Sequence, residues 1–106
     1  MADQPTVFAF GGFEVDEALG ELRKEGRPVE LQATPLRLLL YLLRNRDRVI
    51  PKEELLDHVW PEAVVSEDAL FSALREIRHA LGETGSKEHT VETLRGRGYR
   101  LIVPVK

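Results

Sequence analysis

Within the run Thr93 to Arg100, TLRGRGYR, three arginines stand around two glycines, with Tyr99 beside the last of them. A guanidinium presents a planar fork of N–H donors, which suits carboxylates, phosphates and the edge of guanine. Gly96 and Gly98 permit the positive φ of a tight turn, and a residue between them must point outward. The run therefore predicts a hairpin whose tip projects Arg95 and Arg97, with Arg100 on the return strand and hydroxyls from Thr93 and Tyr99 nearby. Nothing structural asks for two arginines at such a tip. A second group lies upstream. At about 100° per residue, Asp68, Ser72, Arg75, Glu76 and His79 share one side of a helix. Leu70, Leu74, Ile77 and Leu81 form the apolar seam opposite, flanked by Phe71 and Arg78.

Each candidate also has a plainer reading. Arg75 and Arg78 are what a solvated helix face carries. Tyr99 can be a core aromatic with its hydroxyl touching solvent, and Trp60 is more often core than contact. Glu76 could accept from a cytosine amino group, pair with a neighbouring arginine, or weaken the binding of an anion. Asp68 has a structural explanation, because a carboxylate in the first helical turn is stabilised by the helix dipole.

Other chemistry is poorly supplied. The chain has no cysteine, which excludes disulfides, thiol catalysis and thiolate metal sites. His58, His79 and His89 fall on separate elements without zinc-ligand spacing. No nucleophile elbow, Ser/His/Asp set or full nucleotide loop is present. Gly11-Gly12 is followed by no helix start or lysine at phosphate-loop spacing and reads as a turn. These absences predict neither enzyme, metal site nor cofactor.

The 106 residues suit a single domain, 1–106, with 1–6 expected to be disordered. No apolar run approaches the roughly 20 residues of a membrane span, and the start lacks a secretion signal, so a cytoplasmic location is expected. The net charge of −3 and pI near 5.6 speak against generic nucleic-acid affinity. Its distribution speaks differently. Residues 1–71 carry 8 basic and 14 acidic side chains, whereas residues 72–106 carry 7 and 4. An anion-binding surface belongs to the C-terminal third.

The elements needed to position these groups can be read in order. Residues 7–31 begin with VFAFGGFEV, rich in aromatic and β-branched residues broken by Gly11-Gly12, and continue with GELRKEGRPVEL, which alternates around Gly26, predicting short antiparallel strands. Thr34 reads as an N-cap with Pro35 at the first helical position, before a stripe from Leu36 to Leu43. The end of that helix, RNRDR, is expected in solvent. A second helix begins near Pro51, turns Leu55, Leu56, Val59 and Trp60 inward and Glu53, Glu54 and Asp57 outward, and ends at Pro61. A third runs from Ser66 as N-cap to a stop at Gly82. Strands over Val91 to Leu94 and Tyr99 to Val103 close the chain. The class is α+β: a four-stranded antiparallel sheet, three helices and a C-terminal β-hairpin wing, the outline of a winged helix-turn-helix.

On the pieces LQATPLRLLLYLL, VIPKEELLDHVW, ALFSALREIRHALG and TLRGRGYRLI, the chain resembles the OmpR/PhoB-type winged-helix DNA-binding domains. HVWPEAVVS followed by ALREIRHALG is most similar to CadC/ToxR-like regulators, whose winged helix is N-terminal. The resemblance implies sequence-specific binding of double-stranded DNA by a bacterial transcriptional regulator. The third helix, about 66–81, would enter the major groove, and the wing, about 91–103, would lie on the adjacent minor groove or phosphates. It implies contacts from Ser72, Arg75, Glu76 and Arg78 on the helix and from Thr93, Arg95, Arg97 and Tyr99 on the wing. His79 shares the exposed helix face, and Trp60 matches a position whose indole N–H can donate to phosphate. The loop from Pro61 to Val65 matches a segment that in some relatives meets RNA polymerase. A second copy on tandem or paired half-sites is expected, because one module buries a limited area. The chain is also expected to be a piece of a longer regulator, one that a membrane segment elsewhere could anchor. Departures are Pro35, where relatives often carry glutamate, and Asp68 and Glu76, where they are often basic. These two acids, with the acidic balance, leave open a winged helix used for protein–protein contact instead.

Overall fold

The computed structural model describes residues 7–83 and 90–106; the expectations for residues 1–6 and for His89 lie outside them. Four short strands, β1 (Val7–Phe10), β2 (Phe13–Asp16), β3 (Glu21–Lys24) and β4 (Arg27–Val29), form an antiparallel meander in sequence order. Its register places Phe8, Val15, Leu22 and Val29 opposite one another, one from each strand. That row turns inward: Phe8, Val15 and Leu22 are buried and Val29 packs on them. The alternate row carries Glu14 opposite Arg23, whose guanidinium lies 3.8–3.9 Å from Glu14, Asp16 and Glu21. Period-two patterning thus makes one dry face and one wet one. Asp16 shapes the turn into β3 by accepting the Leu19 N–H at 3.0 Å through its carboxylate.

Three helices follow: α1 (Ala33–Arg44), α2 (Lys52–Val59) and α3 (Glu67–Ala80). α1 is the central beam. Leu38, Leu39, Leu42 and Leu43 are wholly buried, with α3 and α2 packed on it. Its start differs from expectation. Gln32 holds the N-cap position, with no side-chain cap, and Pro35 is the third helical residue rather than the first. All N–H groups of the first turn lack intrahelical acceptors, so proline costs nothing there either.

The arginine-rich end of α1 is exposed, as RNRDR suggested, but its arginines are tied back to the fold. Arg44 pairs with Glu17. Arg46 donates to the Leu43 carbonyl at 2.9 Å and lies over the Phe8 ring. Arg48 grips Glu54, with one bond at 3.0 Å, and the Tyr41 hydroxyl donates to the same carboxylate. Glu54 is therefore not simply outward-facing. The Arg48 and Tyr41 hydrogen bonds hold its carboxyl down at about 2. Tyr41 in turn is pushed up, by burial first and then by Glu54. Its ring stacks on His58 with centroids 4.9 Å apart, joining α1 to α2.

α3 buries Leu70, Ala73, Leu74 and Ile77, and Leu81 caps it. Ser66 occupies the N-cap position without a side-chain cap bond. At the other end Gly82 N–H donates to the His79 carbonyl and Glu83 N–H to that of Arg78, the paired bonds of a Schellman closure. The last hairpin is β5 (Val91–Leu94) with β6 (Gly98–Leu101), so the return strand starts one residue earlier and ends two sooner than expected. Ile50, between α1 and α2, joins β6 as a further strand position. Ile50 and Tyr99 exchange both backbone hydrogen bonds, at 2.7 and 2.9 Å.

Candidate nucleic-acid interface

The wing is shaped by its two glycines in different ways. Arg97 N–H donates to the Leu94 carbonyl at 2.9 Å, with Gly96 at φ 73°, the pattern of a type II turn. Arg95 and Arg97 sit at that tip and are exposed. Gly98 serves the ladder rather than the turn. A Cβ there would lie 2.1 Å from the Ile50 carbonyl oxygen, and its φ is 141°. Without a side chain at Gly98, strand β6 comes close enough to exchange hydrogen bonds with Ile50. Sequence reading assigned both glycines to the turn; the partner of Gly98 is distant in the chain and leaves no local sign.

α3 presents the expected face. Asp68, Ser72, Arg75, Glu76 and His79 are exposed, as is Phe71 beside them. Two open clefts, of about 470 and 380 Å³, lie between this helix and the wing, and both are lined by Phe71, Thr93 and Tyr99. Arg75, Arg78 and His79 border the first, Arg95 and Arg97 the second. Helix and wing therefore border a trough made of two adjoining clefts that share Phe71, Thr93 and Tyr99.

The individual side chains divide by what they already hold. Among the described residues, Arg75, Arg95 and Arg97 make no ion pair or side-chain hydrogen bond. Arg78 is half-buried and donates to the Val91 carbonyl at 3.2 Å, tying α3 to β5. Arg100 reaches Glu92 across the hairpin at 2.7 Å and is thereby neutralised. Tyr99 is 5% exposed, so its ring belongs to the core. Burial raises its phenol, with Glu67 adding to the rise. Trp60 is half-buried at the end of α2 and packs against the core. Glu76 has no ion pair among the described residues, so the expected alternative of a neighbouring arginine is not what occupies it.

Three trough residues were missed as site candidates. Lys52, at the start of α2, pairs with Glu67 at the start of α3, and both line the wing cleft. This partner holds the Lys52 ammonium above its usual range. Phe71 borders both clefts and is 45% exposed. The helical wheel placed Phe71 at the edge of the seam, but not that the wing would stand beside it.

The family model described as "Transcriptional regulatory protein, C terminal" matches residues 26–101. The phosphate regulon transcriptional regulatory protein PhoB of Pseudomonas aeruginosa is 33% identical over 99 residues, covering 92% of this chain and 42% of PhoB. The transcriptional activator CadC of Escherichia coli is 26% identical over 103 residues, covering 96% of this chain and 20% of CadC. The chain thus spans less than half the length of these curated relatives. Among solved structures, the DNA-binding domain of Escherichia coli CadC superposes with a TM-score of 0.81 at 27% identity, covering 99% of this chain and 98% of that one. The RstA DNA-binding domain of Klebsiella pneumoniae, solved in complex with the RstA box, shares the fold with a TM-score of 0.77 at 17% identity, covering 91% and 96%. A four-stranded meander, three helices, a glycine-tipped wing and a match over most of the chain agree: the protein belongs to the OmpR/PhoB-type family of winged-helix DNA-binding domains of transcriptional regulatory proteins.

Proposed function

We propose that this domain binds double-stranded DNA sequence-specifically, as the reading unit of a bacterial transcriptional regulator. One observation carries the reading: the exposed face of α3 and the wing tip open onto a shared trough, where Arg75, Arg95 and Arg97 stand without carboxylate partners among the described residues. An α-helix fits the major groove, roughly 12 Å wide, and arginine is favoured in the negative potential of the adjoining minor groove. In this pose Ser72, Arg75, Glu76 and His79 meet base edges or nearby phosphates. Arg95, Arg97 and Thr93 anchor the wing, and Trp60 donates its indole N–H to phosphate. Tyr99 contributes through its hydroxyl, since its ring is buried. Arg78 contributes through the donors it does not use on Val91. Glu76 accepts from a cytosine amino group.

Use of the fold for protein contact alone is not favoured, because the unpaired cations converge where DNA would lie. No catalytic role is assigned. Among the described residues no helix is long and apolar enough to cross a membrane. The reading places the domain in the compartment of the DNA. The loop between α2 and α3, with Val64 fully exposed, is the proposed contact for RNA polymerase, and tandem or paired half-sites would seat a second copy. Selection from a random duplex pool, followed by salt titration, tests the function. A recovered consensus whose affinity falls steeply with salt is expected. No enrichment even at low salt would overturn the reading.

A further inference from the structure

Phe71 is the one aromatic among the exposed large hydrophobic side chains of the described residues; the others are Val7, Leu19, Val64 and Ile102. Scattered exposed aliphatics are ordinary. Phe71 is placed differently, because it lines both halves of the trough between α3 and the wing, with Arg75 on one side and Arg95 and Arg97 on the other. Of the carboxylates that border the wing half, Glu67 is neutralised by Lys52, leaving Glu53. With Glu83 in the helix half, three carboxylates face Lys52, Arg75, Arg78, Arg95 and Arg97, so the walls are cationic on balance and hold an apolar spot.

If α3 lies in the major groove and the wing in the next minor groove, the trough between them straddles one sugar–phosphate strand. Phosphates of that strand meet the arginines. What an apolar side chain on the flank of the helix meets is the base edge nearest the same strand. On a pyrimidine that edge is C5, and of the four bases only thymine carries a methyl group there. We infer that Phe71 is a specificity-determining residue that packs against the 5-methyl group of a thymine on the strand seated in the trough. The inference rests on the DNA-binding reading and adds a preference which the charged and polar side chains do not supply.

The test uses the duplex recovered by selection and a set of copies in which each thymine of the site is replaced in turn by deoxyuridine, which removes one methyl and leaves pairing intact. With the unaltered protein, one position is expected to weaken binding roughly four-fold, the weight of one buried apolar carbon. Phe71→Ala is expected to bind the thymine duplex more weakly and to lose that positional difference; Phe71→Leu, still apolar, retains part of it. Because Phe71 is half-exposed, circular dichroism and thermal melting should show all three proteins folded. Equal deoxyuridine profiles for the unaltered protein and Phe71→Ala would overturn the inference while leaving DNA binding intact, and would mean contact with deoxyribose only. A selected site without thymine under the helix would also overturn it. Failure of the unaltered protein to bind any duplex would remove the DNA-binding reading itself.

Discussion

Two sets of arginines in this small domain are put to opposite uses. Those at the end of α1 are consumed within the fold: Arg44 by Glu17, Arg46 by a carbonyl and the Phe8 ring, Arg48 by Glu54. Those around the trough, Arg75, Arg95 and Arg97, are exposed and hold no carboxylate among the described residues. Read as sequence, RNRDR is the denser run, yet it reads as a solvated helix end while the sparser wing reads as the anion site. Density of charge is a poor guide, because a guanidinium already bonded to a carboxylate has little attraction left for phosphate. What matters is the partner that each side chain has in three dimensions.

Gly98→Ala tests placement with every charge retained. The new Cβ would collide with the Ile50 carbonyl, so the wing must shift off its ladder. A loss of about 2–4 kcal/mol in urea or thermal unfolding is expected, from steric overlap together with positive φ. Charge itself is tested at the tip. Arg95→Ala with Arg97→Ala is expected to lower affinity about ten- to a hundred-fold for all duplexes at low salt. It should also flatten the log–log salt slope by roughly 0.9 for each phosphate that is no longer neutralised. The matched pair Arg44→Ala with Arg46→Ala should leave both quantities unchanged; a comparable loss there would erase the distinction between the two sets.

Arg75→Ala is expected to relax preference at one base pair, worth about 1–3 kcal/mol of discrimination, without a uniform loss across sequences. Competition binding with single-base variants measures it. The smallest effect concerns the consumed set. Glu54 has its carboxyl lowered from 4.5 to about 2 by Arg48 and Tyr41, so its contribution is present above pH 4.5 and is lost as pH falls toward 2. Glu54→Gln should therefore flatten the decline of stability across that acid window, as followed by urea unfolding at stepped pH. An unchanged decline would mean that the network is not maintained in solution.

The repeating elements were legible because their periods are local. Leu70, Leu74, Ile77 and Leu81 announce α3, and turn glycines separated by alternating apolar residues announce the meander. The hairpin tip and the exposed face of α3 were read from the same kind of pattern. What stayed hidden depends on partners far along the chain. Glu17 and Glu54 decide the fate of the α1 arginines, Ile50 decides why position 98 is glycine, and the wing decides what stands beside Phe71. The start of α1 was misplaced for a different reason. Proline is equally acceptable anywhere in a first turn, so Thr34-Pro35 does not specify which of several residues is the cap.

The double backbone bond between Ile50 and Tyr99, with Arg78 bracing the other strand, has a consequence for the DNA. Held on both strands below its tip, the ribbon would keep the spacing between α3 and the tip nearly constant in the proposed DNA complex. B-form DNA turns through roughly 34–36° for each added base pair. A site lengthened by a single step between the two contacts would carry one of them around the duplex, beyond the span of this caliper.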